Sequence, residues 1–406
     1  MGCTAVGVKS EGARRIGQRR KILSRPQSDQ RLSFQLRRVV IATITVSTLV
    51  SACSPRGAIT LDPKAGKVGA PVEIMVASSR GGLDTAAATS RSRSKDLHWA
   101  AFNVSVPPER QLGTVTFPDT KGPNPETDFL TISKHSYDTD RAFLRALNTR
   151  LVQRPRGQRE ATLFVHGFNI NFAEGLYRHA QMVHDFGTPG VPISYSWPSA
   201  ASVRSYAFDR ESALFARDGL EQTLDLVARS KADNIVVAGH SMGAFLVMEA
   251  VRQVAIRGSN NVLRKIRSIM LMSPDLDIDV FRSQVAALAP RVVPIYIVTS
   301  GRDRALWISG LLRGDSARLG SLQDPSRVAD LPGVVVIDLS NVQGASDPLN
   351  HFAVATSPEM IAMIKGFDKF GLTSLRDDTR QTNVFEATLN VVAGVTEVVL
   401  QPTGPK

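Results

Sequence analysis

Asn234-Ile-Val-Val-Ala-Gly-His-Ser-Met-Gly-Ala-Phe-Leu-Val-Met248 is the stretch whose reading decides the fold. It opens on an apolar, β-branched run from Ile235 to Ala238 and passes through Gly239-His240-Ser241-Met242-Gly243. Apolar residues then recur at helical spacing: Met242, Phe245, Leu246, Met248, Val251 and Val254. A buried strand, a tight turn carrying serine and then a helix are the setting of a nucleophile elbow, which holds its serine strained at the top of a sheet. Strand and helix approach closely there, and only glycine fits on either side, hence Gly239 and Gly243. The Gly-x-Ser-x-Gly pattern alone is short, so the reading depends on partners elsewhere.

Three partners are in place. His166-Gly167-Phe168-Asn169 follows an apolar run over 161–165. A serine nucleophile needs two backbone N–H groups to hold the oxyanion, one from the residue after it and one from a loop after an earlier strand. Met242 N–H and Phe168 N–H fill those two positions, with Gly167 letting the loop pass close. Asp303 follows the apolar run 292–298 through Thr299-Ser300-Gly301-Arg302 and is the acid expected to orient an imidazole. Asp275, Asp277 and Asp279 are its rivals one strand earlier, and Asp279 also suits a helix cap. His351, in Asp347-Pro-Leu-Asn-His351, follows the last expected strand and is the expected base, since imidazole takes and returns a proton near neutral pH. Ser241, Asp303 and His351 stand in the chain order of α/β-hydrolase triads.

The other histidines fit lesser roles. His166 and His240 belong to the turn motifs, His98 and His135 read as surface, and His179 and His184, five apart, do not share a helix face as zinc ligands would. Trp197, in Tyr195-Ser-Trp-Pro-Ser199, lines an acyl pocket or plugs the sheet edge. Tyr206, Asp209 and Arg210 form a polar network near the site or a solvated helix start.

From 160 onward the pattern alternates between strand and helix, which marks a mostly parallel sheet covered on both faces. Strands are expected over 161–165, 191–196, 235–238, 268–272, 292–298 and 334–339. Helices are expected near 171–185, 205–230, 242–256, 279–288 and 305–313, with a last one over 357–369 capped by Ser357. Before this core, 72–77 and 102–106 read as strands, 115–117 as a further one, 80–94 as a loop, and 138–152 as a helix capped by Asp138 or Thr139. The reading divides the chain into a leader (1–52), a linker (53–71), a hydrolase domain (72–370, with its catalytic core over 160–370) and a tail (371–406). In the tail, 389–400 suits strand or helix.

The net charge of +12 is uneven. Residues 1–52 hold ten Lys or Arg against Glu11 and Asp29, which is +8, so the remainder carries +4 and reads as no nucleic-acid surface. Arg37-Arg38 precede an uncharged run over 39–50, followed by Ser51-Ala52-Cys53. A basic flank, a short apolar core and small residues at a cut site describe a secretory signal, too short for a membrane span. Val50-Ser51-Ala52-Cys53 resembles the bacterial lipobox, in which the cysteine is lipidated, and Ser54 after it points to the outer membrane. The only cysteines are Cys3 and Cys53, so an anchored Cys53 leaves no disulfide and no cysteine metal site.

From about Val72 to Phe370 the sequence resembles a bacterial α/β-hydrolase family of unknown function (domain of unknown function 900) within the esterase/lipase superfamily. The resemblance rests on Val165-His-Gly-Phe-Asn169, Tyr195-Ser-Trp-Pro-Ser199, Tyr206 with Asp209-Arg210-Glu211, Gly239-His-Ser-Met-Gly243, Ser273-Pro-Asp-Leu-Asp277, Asp303-Arg-Ala-Leu306 and Asn350-His351. Phe168 stands where tyrosine is the more usual residue. The resemblance implies the fold and the triad order but no substrate. The expectation is a lipid-anchored serine hydrolase of small-molecule or lipid esters, with no metal or organic cofactor. A non-catalytic envelope scaffold and an acyltransferase are the alternatives. Oligomeric state is not legible.

Overall fold

The computed structural model describes residues 56–83, 91–306, 318–340, 351–362, 385–392 and 395–402. Cys53, the run 39–50 and much of the helices expected over 305–313 and 357–369 lie outside the described residues. Within them the strands are β1 (Ala70–Arg80), β2 (Arg93–Val106), β3 (Leu130–Tyr137), β4 (Glu160–Val165), β5 (Val191–Ser196), β6 (Asn234–His240), β7 (Ile266–Met272), β8 (Ile295–Thr299), β9 (Val334–Asp338), β10 (Phe385–Val392) and β11 (Val395–Pro402). They form one sheet in the order β10-β11-β9-β8-β7-β6-β4-β5-β1-β2-β3. From β11 through β1 every neighbouring pair is parallel. The β1–β2, β2–β3 and β10–β11 pairs at the two edges are antiparallel.

The α-helices whose bounds fall within the described residues are α1 (Asp140–Leu151), α2 (Phe172–Phe186), α3 (Tyr206–Ala228), α4 (Met242–Ile256), α5 (Asn260–Lys265), α6 (Ile278–Ala286) and α7 (Ala353–Thr356). Their starts follow capping chemistry. Thr139 Oγ1 accepts Ala142 N–H at 3.1 Å. Asn171 and Glu174 form a reciprocal capping box at the start of α2, which satisfies two otherwise orphaned groups. Side chains one apart on β1 enter different layers, as a period of two requires. Met75 and Ala77 pack with α1, α3 and α4, whereas Ile74 and Val76 pack with α2. The sheet is therefore covered on both faces, as in the α/β-hydrolase fold.

That order positions the site. β4 lies beside β6, with Val165 opposite Gly239, so the loop after β4 starts next to the elbow. Ligand sites in such sheets lie beyond the carboxyl ends of the strands.

Several expectations are corrected. β2 begins at Arg93, so the loop expected over 80–94 is shorter on both sides, and Arg80 is the last residue of β1. No strand forms over 115–117. Those residues pack as side chains instead, with the Phe117 ring 5.5 Å from Tyr177. The strand Leu130–Tyr137 was not anticipated, nor was α5. The tail segment is strand: β10 and β11, the latter parallel to β9. The cap of α6 is Asp277 rather than Asp279, its carboxylate accepting Asp279 N–H at 2.9 Å and Val280 N–H at 3.1 Å. No helix among the described residues is long and apolar enough to cross a membrane.

His179 of α2 is buried, its ring 5.0 Å from Phe164. Burial lowers its pKa from 6.5 to about 3. The native state therefore keeps it neutral while the unfolded chain protonates below about 6.5, so stability present above that pH is lost as the pH falls toward 3. His179→Phe should shrink the drop in unfolding free energy between pH 7 and pH 5 by about 2 kcal/mol. Urea unfolding at the two pH values measures it, and an unchanged difference refutes the assignment.

Candidate active site

Ser241 sits between β6 and α4 at φ 53° and ψ −122°. A side-chain-bearing residue held there costs roughly 1–3 kcal/mol, so the surroundings must over-determine it. They do. Ser241 N–H donates to Met272 O at 2.9 Å, and its own carbonyl accepts Ala244 N–H at 3.0 Å and Asp275 N–H at 3.2 Å. A Cβ on Gly239 would lie 2.7 Å from Ala244 Cα, and one on Gly243 only 2.3 Å from His166 O and 2.4 Å from Val165 O. Backbone rather than flexible side chain is the obstacle in both cases, so both positions require glycine. Met242 opens α4, and the N–H of a first helical residue has no acceptor within its helix.

Asp303 follows β8, and one carboxylate oxygen accepts Leu306 N–H at 3.0 Å. The other lies 2.7 Å from His351 Nδ1. The Asp303 side chain is 0% exposed and the His351 side chain 17%. A carboxylate only accepts, so Nδ1 carries a hydrogen, which in the neutral ring leaves the lone pair on Nε2. The residue before the elbow serine ties this pair to the elbow. His240 Nε2 is 3.3 Å from the His351 carbonyl oxygen, the two rings are 4.7 Å apart, and the Phe352 ring lies 4.0 Å from His240. Burial, with the neighbouring His351 imidazole, holds the His240 pKa well below 6.5, so it is a neutral donor to that carbonyl.

The rival carboxylates are engaged elsewhere. Asp275 accepts the Tyr206 hydroxyl at 2.5 Å and lies 3.4 Å from Arg318 Nε. Asp277 caps α6, and Asp279 is exposed in its first turn.

Residues 140–366, more than half of the chain, match the family described as "Alpha/beta hydrolase of unknown function (DUF900)". The chain belongs to that family. Among curated proteins none matches. Similar solved structures include Est1E from Butyrivibrio proteoclasticus, at 13% identity and TM-score 0.34, covering 55% of this chain and 92% of that one. Dienelactone hydrolase from Anabaena variabilis is 12% identical with TM-score 0.34, covering 75% and 97%. A Trichoderma reesei cutinase is 13% identical with TM-score 0.26, covering 56% and 91%. These likenesses are too distant to bear on the chemistry.

In this α/β-hydrolase the loop after β4 rests on a buried polar layer. A Cβ on Gly167 would lie 2.7 Å from His240 Nδ1 and 3.1 Å from Ser241 Cβ, so the loop touches the elbow directly. His166 Nδ1 is 3.0 Å from Gly167 O. That oxygen belongs to the same planar peptide as Phe168 N–H, and fixing one end of a trans peptide fixes the direction of the other. His166 Nε2 is 3.5 Å from Arg80 Nη2, and burial with the Arg80 charge lowers its pKa to about 3. His166 is thus neutral, with its hydrogen on Nδ1.

Trp197 is fully buried beneath the loop, stacked 5.1 Å from His166, with Nε1 donating to His166 O at 2.7 Å. It props the loop from beneath, a role the sequence reading did not give it. Phe168 is half-buried, its ring 5.2 Å from Tyr206.

Arg80, which the sequence places in a loop, ends β1 and carries no local signal of its role. It is 0% exposed and donates to Ser196 Oγ at 2.9 Å, Ser199 O at 3.1 Å and Ile170 O at 3.0 Å. Burial lowers its pKa to about 10, with Asp209 and Glu174 opposing. Asp209, also buried, accepts Ser199 Oγ at 2.6 Å, Ala200 N–H at 2.7 Å and Asn169 N–H at 3.5 Å. The network expected of Tyr206, Asp209 and Arg210 is thus divided. Asp209 braces the loop after β4, Tyr206 bonds Asp275, and Arg210 lies 3.7 Å over the Phe245 ring. Among the described residues no group of three or more His, Cys, Asp or Glu is placed to hold a metal ion.

Proposed function

We propose that the chain is a serine hydrolase of carboxylic esters, on small molecules or lipids, working through an acyl-enzyme. Ser241 Oγ attacks the ester carbonyl as His351 Nε2 takes its proton. The negative oxygen so formed is held by Met242 N–H and Phe168 N–H, and Asp303 stabilises the imidazolium. Collapse breaks the ester C–O bond, and His351 returns the proton to the departing alcohol. Water then attacks the acyl-enzyme, giving its proton to His351, and release of the acid restores the Ser241 hydroxyl.

One observation carries the reading: the His351–Asp303 hydrogen bond of 2.7 Å is tied through His240 to a serine held at φ 53°. Neither feature serves packing, and strain of this kind gathers where chemistry is done. A screen of p-nitrophenyl esters of increasing acyl length tests it. Release of free acid supports hydrolysis, ester products in the presence of added alcohols favour transfer, and no turnover at any length favours a binding scaffold.

We further propose export and lipid anchoring at Cys53, on the sequence pattern alone. The full chain made in a bacterium should then fractionate with the outer membrane, and Cys53→Ser should release it. Equal fractionation of the two counts against the anchor.

A further inference from the structure

The loop carrying Phe168 is gripped from a second side, by a residue far away in the chain. Arg56 Nη2 donates to the Asn169 carbonyl at 2.7 Å and to Glu174 Oε2 at 2.6 Å, and its Nη1 donates to Asn169 Oδ1 at 3.2 Å. Gly57 N–H bonds Glu174 Oε1 at 3.1 Å, and Asn171 Nδ2 bonds Gly57 O at 2.8 Å. Further along, Thr60 N–H reaches Tyr177 OH at 3.3 Å, while Thr131 N–H bonds Thr60 O at 2.8 Å. Residues 56–60 therefore lie as a strap across the start of α2.

Asn169 is where the strap matters. Its φ is 58°, a left-handed conformation that asparagine tolerates better than most residues. Both of its acceptors, carbonyl and side chain, are taken by one guanidinium, whose planar fork suits paired acceptors. Its N–H points the other way, toward Asp209. Asn169 is thus held from the interior by Asp209 and from outside by Arg56, and it directly follows the residue whose N–H is the candidate second oxyanion donor.

We propose that Arg56 is a positioning residue, fixing Asn169 and through it the direction of Phe168 N–H, so that the strap tunes the oxyanion site without touching substrate. This rests on the serine-hydrolase reading above.

The side chain of Arg56 is 42% exposed, so Arg56→Ala removes the clamp without opening the core. Two measurements on the full chain separate the possibilities. The first is amide hydrogen exchange of the peptide over 166–171, which does not need activity. Arg56→Ala should speed it about tenfold, and Arg56→Lys, which keeps one donor, should fall between. The second is kinetic. In Arg56→Ala kcat should drop about tenfold with KM within twofold, and the inhibition constant of an alkyl boronic acid, whose tetrahedral adduct occupies the oxyanion site, should rise by the same factor. Exchange that matches the wild type overturns the strap, and faster exchange with unchanged kcat and boronate affinity overturns the positioning role. A wild type that neither hydrolyses esters nor binds the boronate also overturns that role together with the hydrolase reading, and faster exchange would then leave the strap as a structural feature only.

Discussion

Ser241→Ala is expected to abolish ester turnover, with kcat falling on the order of 10⁶-fold on whichever p-nitrophenyl ester the wild type cleaves best. The magnitude follows from what is removed. Without Oγ there is no acyl-enzyme, and what remains is the oxyanion site and substrate binding acting on water. The fold should not suffer. The elbow is fixed by the Ser241 backbone bonds to Met272, Ala244 and Asp275, none of which needs the hydroxyl. A melting temperature equal to the wild type together with lost turnover is therefore the expected pair of results. A variant that keeps even a tenth of the activity would mean that the reaction runs through another group.

The second large effect is at Asp303. Asp303→Asn keeps the size of the side chain but turns an acceptor-only group into one that can offer N–H to His351 Nδ1. The imidazole would then present hydrogen rather than a lone pair to the serine. A drop in kcat of about 10⁴-fold with little change in KM is expected. Asp275→Asn, by contrast, should cost far less, since that carboxylate bonds Tyr206 and faces Arg318 rather than His351. Steady-state kinetics on the two variants decide between them, and a larger loss at Asp275 would reassign the acid.

Much of this was legible in the sequence, and the reason differs by element. The helix over 242–256 was read residue for residue, because a glycine-bounded turn starts it and an apolar stripe runs its whole length. The central strands were legible because burial on both faces leaves continuous apolar runs. The sequence brings Asp303 and His351 forward only by their places after successive strands, and their 2.7 Å contact agrees with that order.

What escaped is what pairing and tertiary burial decide. β3, Leu-Thr-Ile-Ser-Lys-His-Ser-Tyr, is an edge strand whose middle is exposed, so its side chains carry little apolar signal and the ladder with β2 makes it a strand. The first residues of β2 are equally polar and are held by Arg80 opposite Arg93. Val115 and Phe117 show the converse, an apolar pair that packs against the cluster around Tyr177 without joining the sheet. Arg80 and Arg56 were invisible for another reason. A single arginine near a Gly- and Ser-rich stretch looks solvated, and nothing local says that its partners lie 90 or 113 residues away. The sequence points to Asp279 as the cap of α6, and only the turn geometry selects Asp277 instead.

Of all measurements, reaction of the purified full chain with a fluorophosphonate probe, followed by mass spectrometric mapping of the adduct, bears most directly on whether Ser241 is a nucleophile activated by His351. The expected result is one adduct, on the peptide bearing Ser241, that is lost in Ser241→Ala and strongly slowed in His351→Ala. An intact, folded protein that takes up no probe, or that carries it on a different serine in both variants, would contradict the account.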